Sequence, residues 1–201
     1  MKLIHDSAPC LHLLLLAELF VHSSSRTSHT SSLCSMLKLM MAQVDRLKNL
    51  SKSFHDLSDV ELLNFADMEH RLHSLPHIHH TATHLSSLKV NESLSQLYVH
   101  AQAFKLHVDW LKTAKENVSL SSHSAEGAGT HLLQLSNLLN SSLHQMSEEA
   151  PLSPPPSLPV TSTAFDVLRF SVEISERLQV FCDWSKRVLR QLQRLSHCPR
   201  H

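Results

Sequence analysis

Four stretches of this chain repeat apolar residues at alternating steps of three and four, the spacing that lays a stripe along one face of a helix. Leu33, Leu37, Met40, Val44 and Leu47 form the first stripe, and Leu94, Leu97, Ala101, Phe104, Val108 and Leu111 the second. Leu132, Leu135, Leu139, Leu143 and Met146 form the third. Leu168, Val172, Phe181, Ser185, Val188, Leu192 and Leu195 mark the fourth. No stripe of this kind is stable alone in water, so the four must close on one another around a shared core. With only two glycines in 201 residues, turn-rich β folds and glycine-rich phosphate loops are poor fits, and the expected class is all-α.

The spacing predicts helices over about residues 32–54, 91–116, 129–147 and 163–197. Asn91 is a candidate N-cap for the second, and Thr163 with Asp166 forms a capping pair for the fourth. The links between them are roughly 35, about a dozen and about 15 residues long. A short link suits antiparallel neighbours, and a long one can run the length of a bundle and join parallel helices. The last link, "EEAPLSPPPSLPVTS", is proline-rich. In polyproline geometry it reaches ~46 Å, against ~37 Å for a 25-residue helix. Long, short, long predicts a long-chain four-helix bundle of up-up-down-down topology.

That topology brings the start of the first helix to the end of the last. Cys34 and Cys198 occupy those places, whereas Cys182 lies half a helix away. A Cys34–Cys198 disulfide is therefore expected, with Cys182 left as a buried thiol.

The N-terminus reads as a targeting segment. Lys2 precedes an apolar run from Cys10 to Val21, interrupted by His12 and Glu18, and Ser23, Ser24 and Ser25 follow it. The run is too short to span a bilayer, which needs ~20 apolar residues. The expected division is a signal peptide at 1–23 and a mature domain at 24–201. Asn49, Asn91, Asn117 and Asn140 each open an Asn-x-Ser sequon, four of only six asparagines. Chance would supply about one, so the sequons point independently to a secreted, extracellular glycoprotein. Asn140 is the least favoured, because it borders the third stripe.

Charge and motifs exclude much else. Eighteen basic residues balance eighteen acidic ones, so no overall field exists to hold nucleic acid. No G-x-S-x-G, H-E-x-x-H or phosphate loop occurs, and neither catalysis nor a cofactor is expected. The segment from His70 to His84 holds six histidines, at 70, 73, 77, 79, 80 and 84. Although His70/His73 and His80/His84 have metal-ligand spacing, histidine is abundant throughout and no cysteine accompanies the cluster. A functional metal is not expected there. Many imidazoles of ordinary pKa near ~6.5 would nonetheless charge together in acid, weakening partner binding.

Several short motifs resemble the interleukin-11 family of long-chain helical cytokines. "LHSLPHI" (Leu72 to Ile78) is similar to its Leu-x-Ser-Leu-Pro segment, and "HVDWLKTA" (His107 to Ala114) to the end of its second helix. "FCDWSKRVLRQL" (Phe181 to Leu192) is similar to the Asp-Trp-x-x-Arg stretch of its last helix. The resemblance runs from about Leu33 to Leu195. It implies a protein that binds a specific alpha receptor and the shared signalling chain glycoprotein 130 through three surface sites. It also implies no membrane insertion and a monomer before receptor assembly.

In the first site, Arg187 matches the family's arginine. Lys186, Arg190 and Arg194 would extend it as a basic strip offering planar forks to receptor carboxylates. Leu75 would be the docking point of the first long loop. In the third site Phe165 stands where the family has tryptophan, keeping an apolar anchor but losing the indole donor. The cysteines and the "SHCPRH" tail also depart from the family. A sibling cytokine of the interleukin-6 type, or a secreted helical lipid carrier with exposed apolar faces, are the alternatives.

Overall fold

The computed structural model describes residues 31–63, 65, 71–78, 88–152, 156–161 and 163–199. The expected signal peptide, and four of the clustered histidines (His70, His79, His80 and His84), lie outside the described residues. Five helices appear among those described. They are α1 (residues 31–51), α2 (Asp59–Leu63), α3 (Val90–Asn117), α4 (His123–Gln145) and α5 (Ala164–Leu195).

The long helices meet in register, and in each pair one chain number rises as the other falls. Between α1 and α5, Cys34 bonds Cys198, Asp45 pairs with Lys186, and Lys48 meets Asp183 at 2.6 Å. The hydroxyl of Ser175 continues that seam by donating to the Ser51 carbonyl. Between α1 and α4, Gln145 donates to Ser32 and His131 bonds Gln43. Asn91–Glu148 and Lys112–Glu126 close the two ends of the α3–α4 seam. Ring contacts order the α3–α5 seam: His100 with Trp184, Phe104 with Phe181, and Trp110 with Phe170.

The core is built from the stripes. Leu37, Met40, Val44 and Leu47 of α1, the whole stripe of α3, and Leu132, Leu135, Leu139 and Leu143 of α4 are buried. On α5 the expected stripe is corrected. Leu195 is exposed and Leu168 only half-buried, while Val167, Phe170, Ile174, Leu178 and Leu189 carry the packing. The reason is that α5 is covered from several sides, so its buried face is broader than a single stripe.

Two helix starts also differ from expectation. Lys89, not Asn91, occupies the N-cap of α3, without a side-chain cap. Asn91 lies inside the helix and spends its amide on Glu148 instead. Helix α4 begins at His123, six residues before the expected start, so only residues 118–122 link it to α3. Gly127 and Gly129 lie within α4 because their neighbours press close. A Cβ at Gly129 would stand 2.8 Å from the Asp109 carboxylate, and one at Gly127 3.3 Å from Leu50. At the start of α5 the expected pair does form: the Asp166 amide donates to Thr163 Oγ1, whose hydroxyl donates back to the Asp166 carboxylate.

Cys34 and Cys198 form a disulfide with Cα atoms 5.5 Å apart. Cys182 is a free, fully buried thiol, and burial pushes its pKa up, away from the reactive thiolate. No described helix is long and apolar enough to cross a membrane.

Candidate functional site

Three regions carry side chains that a partner could read. The first is the outer face of α5 near its end. Arg187, Arg190 and Arg194 lie at steps of three and four, so they share a face, and all are exposed. None forms an ion pair among the described residues. Lys186, the fourth cation of the expected strip, is in an ion pair with Asp45 of α1 on the exposed edge of the α1–α5 seam. Asp183, of the Asp-Trp-x-x-Arg stretch, is likewise held by Lys48. Trp184 is buried at 4 % exposure against His100 and Phe181 and contributes packing.

The second region is the loop segment at residues 71–78. Leu75 was expected to dock a partner, but its side chain is 2 % exposed. It cannot touch a partner directly, and its role here is to anchor the loop in the core beside Leu72. The anchoring is polar as well. Glu173 of α5 accepts from the amides of Arg71 and Leu72, each at 3.1 Å. Arg177, one turn on, donates to the carbonyls of Leu72 at 2.7 Å and Leu75 at 3.1 Å.

Ser74 meets His107 Nε2 at 2.9 Å. Because His107 Nδ1 faces the Ala103 carbonyl, which can only accept, Nδ1 carries the proton and Nε2 accepts from the serine hydroxyl. Burial pushes the His107 pKa down and keeps this neutral form. The clasp lies about Arg177, ten residues before Arg187 on the same helix, or ~15 Å by helical rise. Leu75 and the arginine strip are therefore not brought together.

The third region is the opposite end of α5. Phe165 is 58 % exposed and stacks on Phe65 with ring centroids 6.0 Å apart. Val60 and Leu63 of α2 are exposed apolar residues as well. Sequence reasoning left the outer faces of the first and third long helices unassigned. Leu39 of α1 and Leu133 of α4 stand exposed there, and Leu39 is one turn from Met36 and Gln43, the residues that meet α4. Both fall out of the buried stripes by one or two positions, which is the signal that could have found them.

Among the described residues, no group of three or more histidine, cysteine or carboxylate side chains is placed to hold a metal ion. No curated protein matches the chain. The family model described as interleukin 11 matches residues 27–196. An all-helical chain with a disulfide joining the start of α1 to the residues after α5, and with that match over most of its length, belongs to the interleukin-11 family of cytokines, which is not an enzyme family.

Proposed function

We propose that this chain is a secreted cytokine that binds an interleukin-11-type alpha receptor and the shared signalling chain glycoprotein 130, triggering kinase signalling inside the responding cell. The domain plan is a signal peptide at 1–23 and a cytokine domain at 24–201 that stays monomeric before receptor assembly. Its topology is up-up-down-down. The opposed registers of α1 with α4 and α5, and of α3 with α4 and α5, support it.

The observation that carries the receptor reading is the contrast along α5. Arg177 is buried against Glu173 and Lys186 pairs with Asp45 at the surface, while Arg187, Arg190 and Arg194 stay exposed without carboxylate partners among the described residues. A row of arginines ready to fork onto carboxylates suits a receptor surface better than solvent. These cations also complement the negative end of the helix, but that effect needs only the last turn, and Arg187 lies beyond it. Phe165, with Phe65, would anchor a second receptor chain at the far end, and Leu39 and Leu133 would serve a third contact.

The test is binding of the secreted protein to the immobilised alpha-receptor ectodomain of the same species. Arg187→Glu is expected to weaken binding at least tenfold. No binding by folded, monomeric wild type would move the protein to a sibling receptor.

A further inference from the structure

We propose that the cleft between α1 and the end of α5, beside the disulfide, is a binding site for sulfated glycosaminoglycan chains. The cleft has a volume of about 650 Å³, within the range of ligand sites. Lys38 lines one wall, Arg190 and Arg194 the other, and His197 the end, with Met41 and Pro199 as apolar contacts. No carboxylate is among the lining residues, and Lys38, Arg190 and Arg194 form no ion pair among the described residues.

The concentration of cations is local. The chain as a whole carries no formal net charge, so the cleft is not one part of a generally basic surface. Its geometry is also held. The Cys34–Cys198 bond pins the segment carrying His197 and Pro199 against α1, and Lys38 follows Cys34 by one helical turn. Arg190 and Arg194 are one turn apart on α5, with Cβ atoms ~5–6 Å apart.

Sulfate fits this arrangement better than carboxylate. Each sulfate group presents three terminal oxygens, so two arginine forks can share one group while Lys38 takes a neighbouring sulfate across the cleft. An acidic peptide side chain offers two oxygens on a single group and would engage one wall. The apolar faces of the sugar rings have Met41 and Pro199 to rest on. An extracellular chain meets polyanions mainly as sulfated glycans, so the assignment rests on the secretory reading. It does not need the receptor reading. Because Arg190 and Arg194 belong to the exposed strip as well, a bound glycan and a receptor would compete there. Arg187, which does not line the cleft, remains outside it.

The experiment uses the intact secreted protein without receptor, so its failure and failure of the receptor reading are separable. Binding to a heparin-derived hexasaccharide is measured at about 150 mM salt, where long-range attraction is screened. Three proteins are compared: wild type, Lys38→Gln/Arg190→Gln/Arg194→Gln, and a charge-matched control, Arg46→Gln/Lys52→Gln/Lys89→Gln. The expected result is binding by wild type and control, a loss of at least tenfold in the cleft variant, and none to desulfated heparin. If the triple variant fails to fold, Arg190→Gln alone is read in its place, with at least a threefold loss expected. No binding by folded wild type overturns the proposal. So does an equal loss in the control, or a poly-glutamate peptide binding as tightly as the hexasaccharide.

Discussion

Glu173 and Arg177, one turn apart on α5, form an ion pair at 3.1 Å with side chains only 5 % and 9 % exposed. Both also hydrogen-bond to the loop backbone, Glu173 at Arg71 and Leu72, and Arg177 at Leu72 and Leu75. A buried pair of this kind is worth little against a well-packed apolar pair, but breaking it leaves an uncompensated charge. Arg177→Met should therefore destabilise the fold by about 3–5 kcal/mol. Replacing both partners together with apolar residues removes the stranded charge, but leaves the loop's amides and carbonyls without partners. Urea denaturation of the single and double variants checks this, with the double variant expected to lose less than the two single losses added.

The separation between those partners explains much of what was legible in the sequence and what was not. The stripes of α1, α3 and α4 could be read because the residues that define them are neighbours on one helix. Leu75 stood out in the sequence as a docking point for a partner. Its burial was not legible, because the Arg177 guanidinium that holds its carbonyl lies 102 positions away. The same limit affected Lys186, whose spacing fits an exposed strip but whose partner Asp45 sits 141 positions earlier. The expected start of the third long helix fell at Gly129, because its apolar stripe begins only at Leu132, and glycine disfavours helical backbone. Only the close approach of Leu50 and Asp109 shows why Gly127 and Gly129 sit inside the helix.

Acid should weaken the fold. Burial lowers the pKa of His55, His100 and His107. An imidazole held neutral in the fold takes up protons more readily when unfolded. Its contribution is complete above the unfolded value of ~6.5 and is lost as pH falls from there toward the folded value. His100 is the cleanest probe. Burial is the only cause of its shift, it lies against Phe181 and Trp184, and its Nδ1 makes no hydrogen bond among the described residues. His100→Leu should be neutral or stabilising at about pH 7.4 and should flatten the decline toward about pH 5.5. Denaturant midpoints at the two pH values measure it, and an unchanged slope would contradict this assignment.

Of the four sequons, Asn117 should carry the most glycan. It is the exposed last residue of α3, and the turn after it places Ser119 at φ 59° in the open. Asn49 is also exposed, though Ser51 of its sequon is buried in the α1–α5 seam. A sugar on Asn91 would displace its bond to Glu148, and Asn140 is half-buried beside the fully buried Ser142. Glycopeptide mass spectrometry should find occupancy highest at Asn117, then Asn49, and lowest at Asn91 and Asn140. Dominant occupancy at Asn140 would contradict the packing of α1 against α4.

The disulfide should matter more for stability than any single core contact. It closes a loop of 164 residues, and constraining an unfolded chain over that length is worth about 5 kcal/mol in the chain-entropy model. Cys34→Ser with Cys198→Ser should lower unfolding free energy by up to that amount, because the seam retains Asp45–Lys186, Lys48–Asp183 and the packing of Leu37 and Met40. Cys182 supplies an internal control. Its thiol is wholly buried with a raised pKa, so a thiol reagent should label it only when the protein unfolds. Labelling rates followed across a urea series in both proteins should then fall on their respective unfolding curves. The reactive fraction should rise at lower urea in the double variant. Rapid labelling of Cys182 in folded wild type would mean that the α1–α5 seam opens without the disulfide breaking.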